Sequence, residues 1–162
     1  MRIASVATYN GYVTDTKISR RVGSEEESAF LDLLRTTDAL SRGLVQVLKI
    51  EDVSSTQYNV LRILRGSPQG LSSGDIGRRM ITREPDITRL LDRLETRKLI
   101  TRRRLAEDRR TVVARITPVG LALLERLDEP MQQAHRRQLG HLGPKRLKQL
   151  NDLLAICRSR ID

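Results

Sequence analysis

Apolar positions recur at a helical period through most of the chain, and at a period of two between Ile100 and Ile116. From Ser24 to about Ile50, Phe30, Leu33, Leu34, Leu40, Leu44, Val47 and Leu48 follow one another at helical spacing. Ser24-Glu25-Glu26-Glu27 reads as a capping box at its start, and acids in a first turn suit the helix dipole. A second box, Ser54-Ser55-Thr56-Gln57, opens a helix with Tyr58, Val60, Leu61, Ile63 and Leu64 that stops at Gly66. A third, Ser72-Ser73-Gly74-Asp75, opens a short helix carrying Ile76 and Met80. Ile87, Leu90, Leu91 and Leu94 then form one apolar stripe at i, i+3, i+4 and i+7. Thr82 is its expected N-cap, with Pro85 in the first turn, where a missing N–H costs little.

The strand signal follows at once. Val112, Ala114 and Ile116 alternate with Thr111, Val113 and Arg115, and the run ITRRRL from Ile100 is the matching partner. The AEDRR between them is long enough only for a hairpin tip. Thr117-Pro118 signals another helix start, continued by Leu121, Leu123, Leu124 and Leu127. Pro130 should kink or interrupt that helix, and Gly140 and Gly143-Pro144 break the chain. A last helix carries Leu147, Leu150, Leu154, Cys157 and Ile161, a seam suited to packing against another helix. Residues 1–23 show no clean period and read as a flexible or partly ordered arm; a basic arm touching DNA or a partner subunit is the functional alternative.

Three helices with short links, the last one offered outward and followed by a β-ribbon, make a winged helix-turn-helix. The expected fold is therefore mainly α with a small β-wing. Residues 51–117 form the winged helix-turn-helix DNA-binding domain, and residues 24–50 and 118–162 a helical dimerisation region. The terminal helices are too apolar to stand alone. Packing them together and against a second copy would bury their stripes, so a homodimer is expected.

Charge sharpens the functional reading. The chain has 162 residues, with 30 Lys and Arg against 20 Asp and Glu, a net charge of +10 that points to a polyanionic partner. Aromatic residues are 2% and Trp is absent, which argues against base stacking on single strands. The outward face of the fourth helix offers Thr88, Arg89 and Asp92, with Arg93 on a flank, to base edges or phosphates. Arg102, Arg103, Arg104, Arg109 and Arg110 crowd the small ribbon. They repel one another in isolation and make sense against a phosphate backbone, where neutralisation releases counterions.

Catalytic and metal chemistry finds no support. His135 and His141 straddle the glycine break and have no cysteine neighbour, so solvated histidines are the plainer reading than a metal site. No glycine-rich phosphate loop and no nucleophile elbow occur, and neither enzyme activity nor a cofactor is expected. Cys157, the lone cysteine, is expected to pack on the apolar stripe of the last helix rather than to sense oxidants. No apolar run reaches the length of a membrane span, and the start MRIASVATYN lacks a signal-peptide core, so a cytoplasmic protein is expected.

The segment PDITRLLDRLETRKLITRR, the wing triplet Asp108-Arg109-Arg110 and the run ARITPVGLALLERL resemble the MarR family of transcriptional regulators from about Glu25 to the C-terminus. The family's wing motif is Asp-x-Arg, a short apolar strand, then Leu-Thr-x-x-Gly. Here Ile116 replaces the usual Leu before Thr117, Pro118, Val119 and Gly120.

The resemblance implies a dimeric repressor of double-stranded DNA sites that are pseudo-palindromic, with half-sites roughly 34–36 Å apart. Arg83, Thr88 and Arg89 are expected in the major groove. Arg110 is the groove-entering wing residue, with Arg109, Arg102 and Arg104 nearer phosphate. Asp108 could pin the loop by pairing with one arginine.

Glu84 and Asp86 run against this pattern, because carboxylates repel phosphate. Asp86 could accept from cytosine N4 or orient Arg83 or Arg89. Pro85 and Asp86 also depart from the small hydroxyl residues usual there.

A small-molecule effector is implied between the dimer body and the DNA-binding lobe. Nothing in the sequence identifies the effector, and Tyr58, Arg62 and His135 are only weak candidates for its contacts. The competing class is a winged-helix module that grips RNA or a protein partner.

Overall fold

The computed structural model describes residues 23–104 and 112–159. Asp108, Arg109, Arg110, the arm over residues 1–22 and Ile161 lie outside the described residues. The chain divides into two units, Met1–Ala39 and Leu40–Asp162. The boundary falls within helix α1, Glu25–Leu48.

In the first unit, Ser24 Oγ accepts from the Glu27 N–H at 3.2 Å. The Glu27 carboxylate reaches back to the N–H of Gly23 at 3.0 Å, one residue earlier than a standard capping box. Phe30, Leu33 and Leu34 keep their helical spacing and are exposed.

The second unit continues with α2 (Ser55–Arg65), β1 (Leu71–Ser72), α3 (Ser73–Arg79), α4 (Ile87–Thr96), β2 (Ile100–Arg104), β3 (Val112–Ile116), α5 (Pro118–Leu139) and α6 (Gly143–Arg158). The strands form one antiparallel sheet in the order β1-β3-β2, with Arg102 opposite Ala114 and Leu71 opposite the same Ala114 on the other side. Leu61 and Leu64 of α2, Ile76 of α3, Leu94 of α4, Ile100 of β2 and Leu124 and Leu127 of α5 are fully buried. The apolar stripes thus meet in one core, with α4 packed against β2 and α3.

The second capping box forms as expected. Ser54 Oγ accepts from Gln57 N, and Gln57 Oε1 accepts from Ser54 N. Thr117 caps α5 by accepting from Gly120 N at 3.1 Å, while its hydroxyl donates to the Lys98 carbonyl at 2.7 Å. This knots the start of α5 to the turn before β2.

Three expectations need correction. The N-cap of α4 is Asp86, not Thr82, and Pro85 precedes the helix. The residue before a proline is disfavoured in the α region, which biases Glu84 away from the helix, and the Asp86 side chain supplies the cap. α5 runs unbroken through Pro130, because Leu127, Met131 and Ala134 are buried along the same stretch and their packing outweighs one lost hydrogen bond.

Cys157 is exposed rather than packed. No residue of α6 is buried, and Leu153 and Ile156 are each 61% exposed, so nothing among the described residues covers the end of that helix.

Candidate nucleic-acid interface

α4 owes its position to its cap and its stripe. The Asp86 carboxylate accepts the Arg89 N–H at 2.9 Å, satisfying a donor the helix cannot satisfy itself. Leu90, Leu91 and Leu94 turn inward, which leaves Arg89, Asp92, Arg93 and Thr96 on the opposite side. Asp86 is therefore a helix cap, and the bond it makes is to the Arg89 backbone rather than to an arginine side chain.

Arg83, Thr88 and Arg89 are all exposed, and among the described residues their side chains take no hydrogen bond or ion pair. The outer stripe borders a cleft of about 610 Å³, closed on its far side by Asp52, Ser54 and Gln57 at the start of α2. A smaller cleft of about 200 Å³ runs beside it, between Thr56 and the Glu84–Asp86 turn.

Arg93 lines both clefts and is exposed. Sequence reasoning had set it on a flank; its i+4 spacing from Arg89 was the signal for a central place. Arg97, at the C-cap of α4, is already engaged, donating to the carbonyls of Glu51 and Asp52.

The ribbon's arginines divide. Arg103 and Arg104 are exposed on β2. Arg102, expected near phosphate, is held by α4. Its backbone N–H and its Nε both donate to the Glu95 carboxylate, at 2.9 and 2.8 Å, and Nη2 also reaches Asp92. These bonds, first those to Glu95, push the Arg102 guanidinium above its ordinary pKa. On β3, Arg115 donates to the Gln69 carbonyl at 2.9 Å, fastening the ribbon to the loop before β1. Arg109, Arg110 and Asp108 fall outside the described residues, so the wing tip enters here through its sequence alone.

The arrangement is a cationic helix face beside a basic two-stranded arm, with no metal-binding group of His, Cys, Asp or Glu among the described residues. No helix of the described residues is long and apolar enough to cross a membrane. The MarR family's sequence model matches residues 51–111. The chain is 40% identical to a MarR transcription factor from Planctomyces limnophilus, a likeness spanning 84% of this chain and 99% of that one, with a TM-score of 0.64. The chain belongs to the MarR family.

Other members lie further off. The Homoprotocatechuate degradative operon repressor of Escherichia coli is 26% identical over 128 residues, 79% of this chain and 86% of its own length. BpsR of Bordetella bronchiseptica, whose DNA binding is regulated by 6-hydroxynicotinic acid, is 25% identical over 78% of this chain and 89% of its own, with a TM-score of 0.71. This MarR-family chain is accordingly a winged-helix transcription regulator.

Proposed function

We propose that this protein represses transcription as a homodimer on pseudo-palindromic double-stranded DNA and that a small molecule modulates its affinity. The observation that carries the DNA reading is the outer stripe of α4. Thr88, Arg89 and Arg93 stand exposed there, with Arg83 exposed in the segment before the helix, none with a competing partner among the described residues, on a chain of net charge +10. Thr88 and Arg89 suit base edges in the major groove, Arg93 the flanking phosphates, and Arg103, Arg104, Arg109 and Arg110 the phosphates and minor groove beyond.

Residues 51–117 serve as the DNA-binding domain, and residues 24–50 and 118–162 as the dimerisation region. Support for the latter lies in apolar side chains that stand exposed among the described residues. Phe30 of α1 is 60% exposed, and Leu153 and Ile156 of α6 are 61% exposed. Burying such stripes against a second copy is the usual source of dimer stability.

Effector modulation finds its support in a pocket of about 190 Å³ between α2 and α5. Tyr58, Arg62 and His135, the weak sequence-based candidates, line it together with Arg65 and Asp128. The Arg62 guanidinium lies 5.8 Å from the centre of the Tyr58 ring, and Arg65 is paired with Asp128 at 2.8 Å. A ligand preferring one arrangement of α2 against α5 would shift DNA affinity by that preference. The relatives' repressor and effector roles point the same way.

Selection of bound duplexes from a random pool tests the function. A two-fold symmetric sequence, bound with a steep salt dependence, is the expected result. Equal binding to all duplexes, or a preference for RNA, would favour the RNA- or protein-binding alternative.

A further inference from the structure

The most heavily engaged arginine of the interface faces two acids, not solvent. Glu95 and Asp92 project from α4 towards β2, and Arg102 answers both. Glu95 receives the Arg102 backbone N–H and side-chain Nε on its two oxygens, and Nη2 lies 2.7 Å from Glu95 Oε2 while also reaching Asp92 Oδ1. The Arg102 side chain is only 26% exposed. In the ribbon its Cα stands opposite Ala114, so the fork fastens the β-hairpin at mid-length rather than at its end. Arg103 and Arg104, next along the same strand, are exposed.

We infer that Arg102 is a positioning residue of the DNA interface, which fixes the angle between the ribbon and α4 and so makes the two read DNA in one register. The inference rests on the proposal that this protein binds specific duplex DNA. Two physical effects act together. A guanidinium fork on a carboxylate is directional in a way that a single ammonium is not, so it holds orientation as well as charge. The same fork offsets the carboxylates of Asp92 and Glu95, which would otherwise repel phosphates beside the helix. If the hinge loosens, α4 can still enter a major groove, but the ribbon no longer meets the neighbouring furrow at a set distance. Sequence preference then drops further than general affinity for DNA.

The test compares the full chain with Arg102→Lys and with the double variant Asp92→Asn/Glu95→Gln. Each is titrated with the selected duplex and a scrambled duplex across a salt series, and far-UV circular dichroism checks folding. A positioning residue predicts that both variants stay folded and lose about tenfold or more in the ratio of specific to scrambled affinity, as for a mismatched base pair. Arg102→Lys should leave the salt slope on scrambled DNA unchanged. A phosphate ligand predicts the reverse. Lysine would then preserve the ratio, and freeing Arg102 through the double variant would tighten all binding without loss of preference. That result overturns the inference while leaving the DNA-binding reading intact. A wild-type chain that binds both duplexes alike overturns the reading, and the inference with it.

Discussion

Arg126 of α5 grips the Glu51 carboxylate with two parallel hydrogen bonds, Nε to Oε1 and Nη2 to Oε2, both 2.7 Å long. The backbone carbonyl of the same Glu51 accepts from Arg97 at the end of α4, at 3.0 Å. One residue therefore joins α5 to the end of α4. The Arg126 hydrogen bonds hold the Glu51 carboxyl below its ordinary range, with burial opposing them. A depressed folded pKa means stability that is fully present above the unfolded carboxylate value. It is lost as pH falls through the lower, folded one. Glu51→Gln should melt below the wild type at neutral pH, and the gap should narrow below about pH 4, where a free glutamate protonates. Thermal melts at both pH values check this; a constant gap would mean that the fork contributes nothing through ionisation.

Gly120 is set by a close approach. A Cβ there would lie 2.3 Å from the Leu99 carbonyl oxygen and 2.8 Å from Ile116 Cγ1. That carbonyl already accepts the Thr117 N–H at 3.1 Å, so it has little room to retreat. Gly120→Ala should cost on the order of 2–3 kcal/mol and lower Tm by roughly 4–12 °C. Gly140, also helical in conformation, has nothing within 4 Å of a built Cβ. Gly140→Ala should be neutral or slightly stabilising. Equal melting of the two variants would show that the start of α5 is looser than its contacts require.

The same motif shows what the sequence could and could not reveal. Thr117-Pro118 announced α5 correctly, and the stripes of α2 and α4 supplied the core, because burial imposes a period that can be read along the chain. β1 escaped notice because two residues carry no period; its pairing with β3 is a tertiary event. The cap of α4 was misplaced because Thr82 looked adequate in isolation, while Pro85 disfavours helix at Glu84 and the Asp86 carboxylate takes the Arg89 N–H. The partners of Arg102 were not legible for a different reason. Its partners lie on another element, and they meet only because Lys98 takes a left-handed conformation, φ 57°, as the chain turns from α4 into β2. Sequence gives the sign of each charge there, not its neighbour.

Asp86 separates two roles that a carboxylate could play at the front of α4. As a cap it should lose about 1 kcal/mol on Asp86→Ala, while Asp86→Asn keeps a side-chain oxygen for the Arg89 N–H and stays near wild type. The asparagine variant should also select the same duplexes as the parent. A changed base preference with unchanged stability would instead assign Asp86 to base reading.

The dimer can be challenged without touching the core. Leu153 and Ile156 are exposed and one helical turn apart on α6, so acidic replacements disturb no buried contact among the described residues. Leu153→Glu/Ile156→Glu should keep the helical circular dichroism of the parent yet sediment as a monomer at micromolar concentration. The monomer should bind one half-site weakly and lose its preference for the two-fold site. A variant that sediments as the wild type does would place the dimer contact elsewhere.

Arg89 and Arg93 share the outer stripe of α4 but should answer differently to truncation. Arg89 follows Thr88 in the first turn, near the end of the helix that reaches deepest in a helix-turn-helix. Its removal should relax selection at one base-pair position and cost about 1–3 kcal/mol on the selected site, with less effect on scrambled DNA. Arg93 lies one turn later and borders the cleft shared with Ser54 and Gln57 of α2, where a backbone phosphate would pass. Arg93→Ala should weaken binding to every duplex to a similar degree and reduce the log–log salt slope by about 0.9 for each site it contacts. Fluorescence anisotropy at several salt concentrations, with selected and scrambled duplexes, distinguishes the two. If Arg93→Ala altered base preference while leaving the slope unchanged, the helix would have to enter the groove by its middle rather than its front. Thr96, the next outward residue, would then replace Thr88 as a base contact.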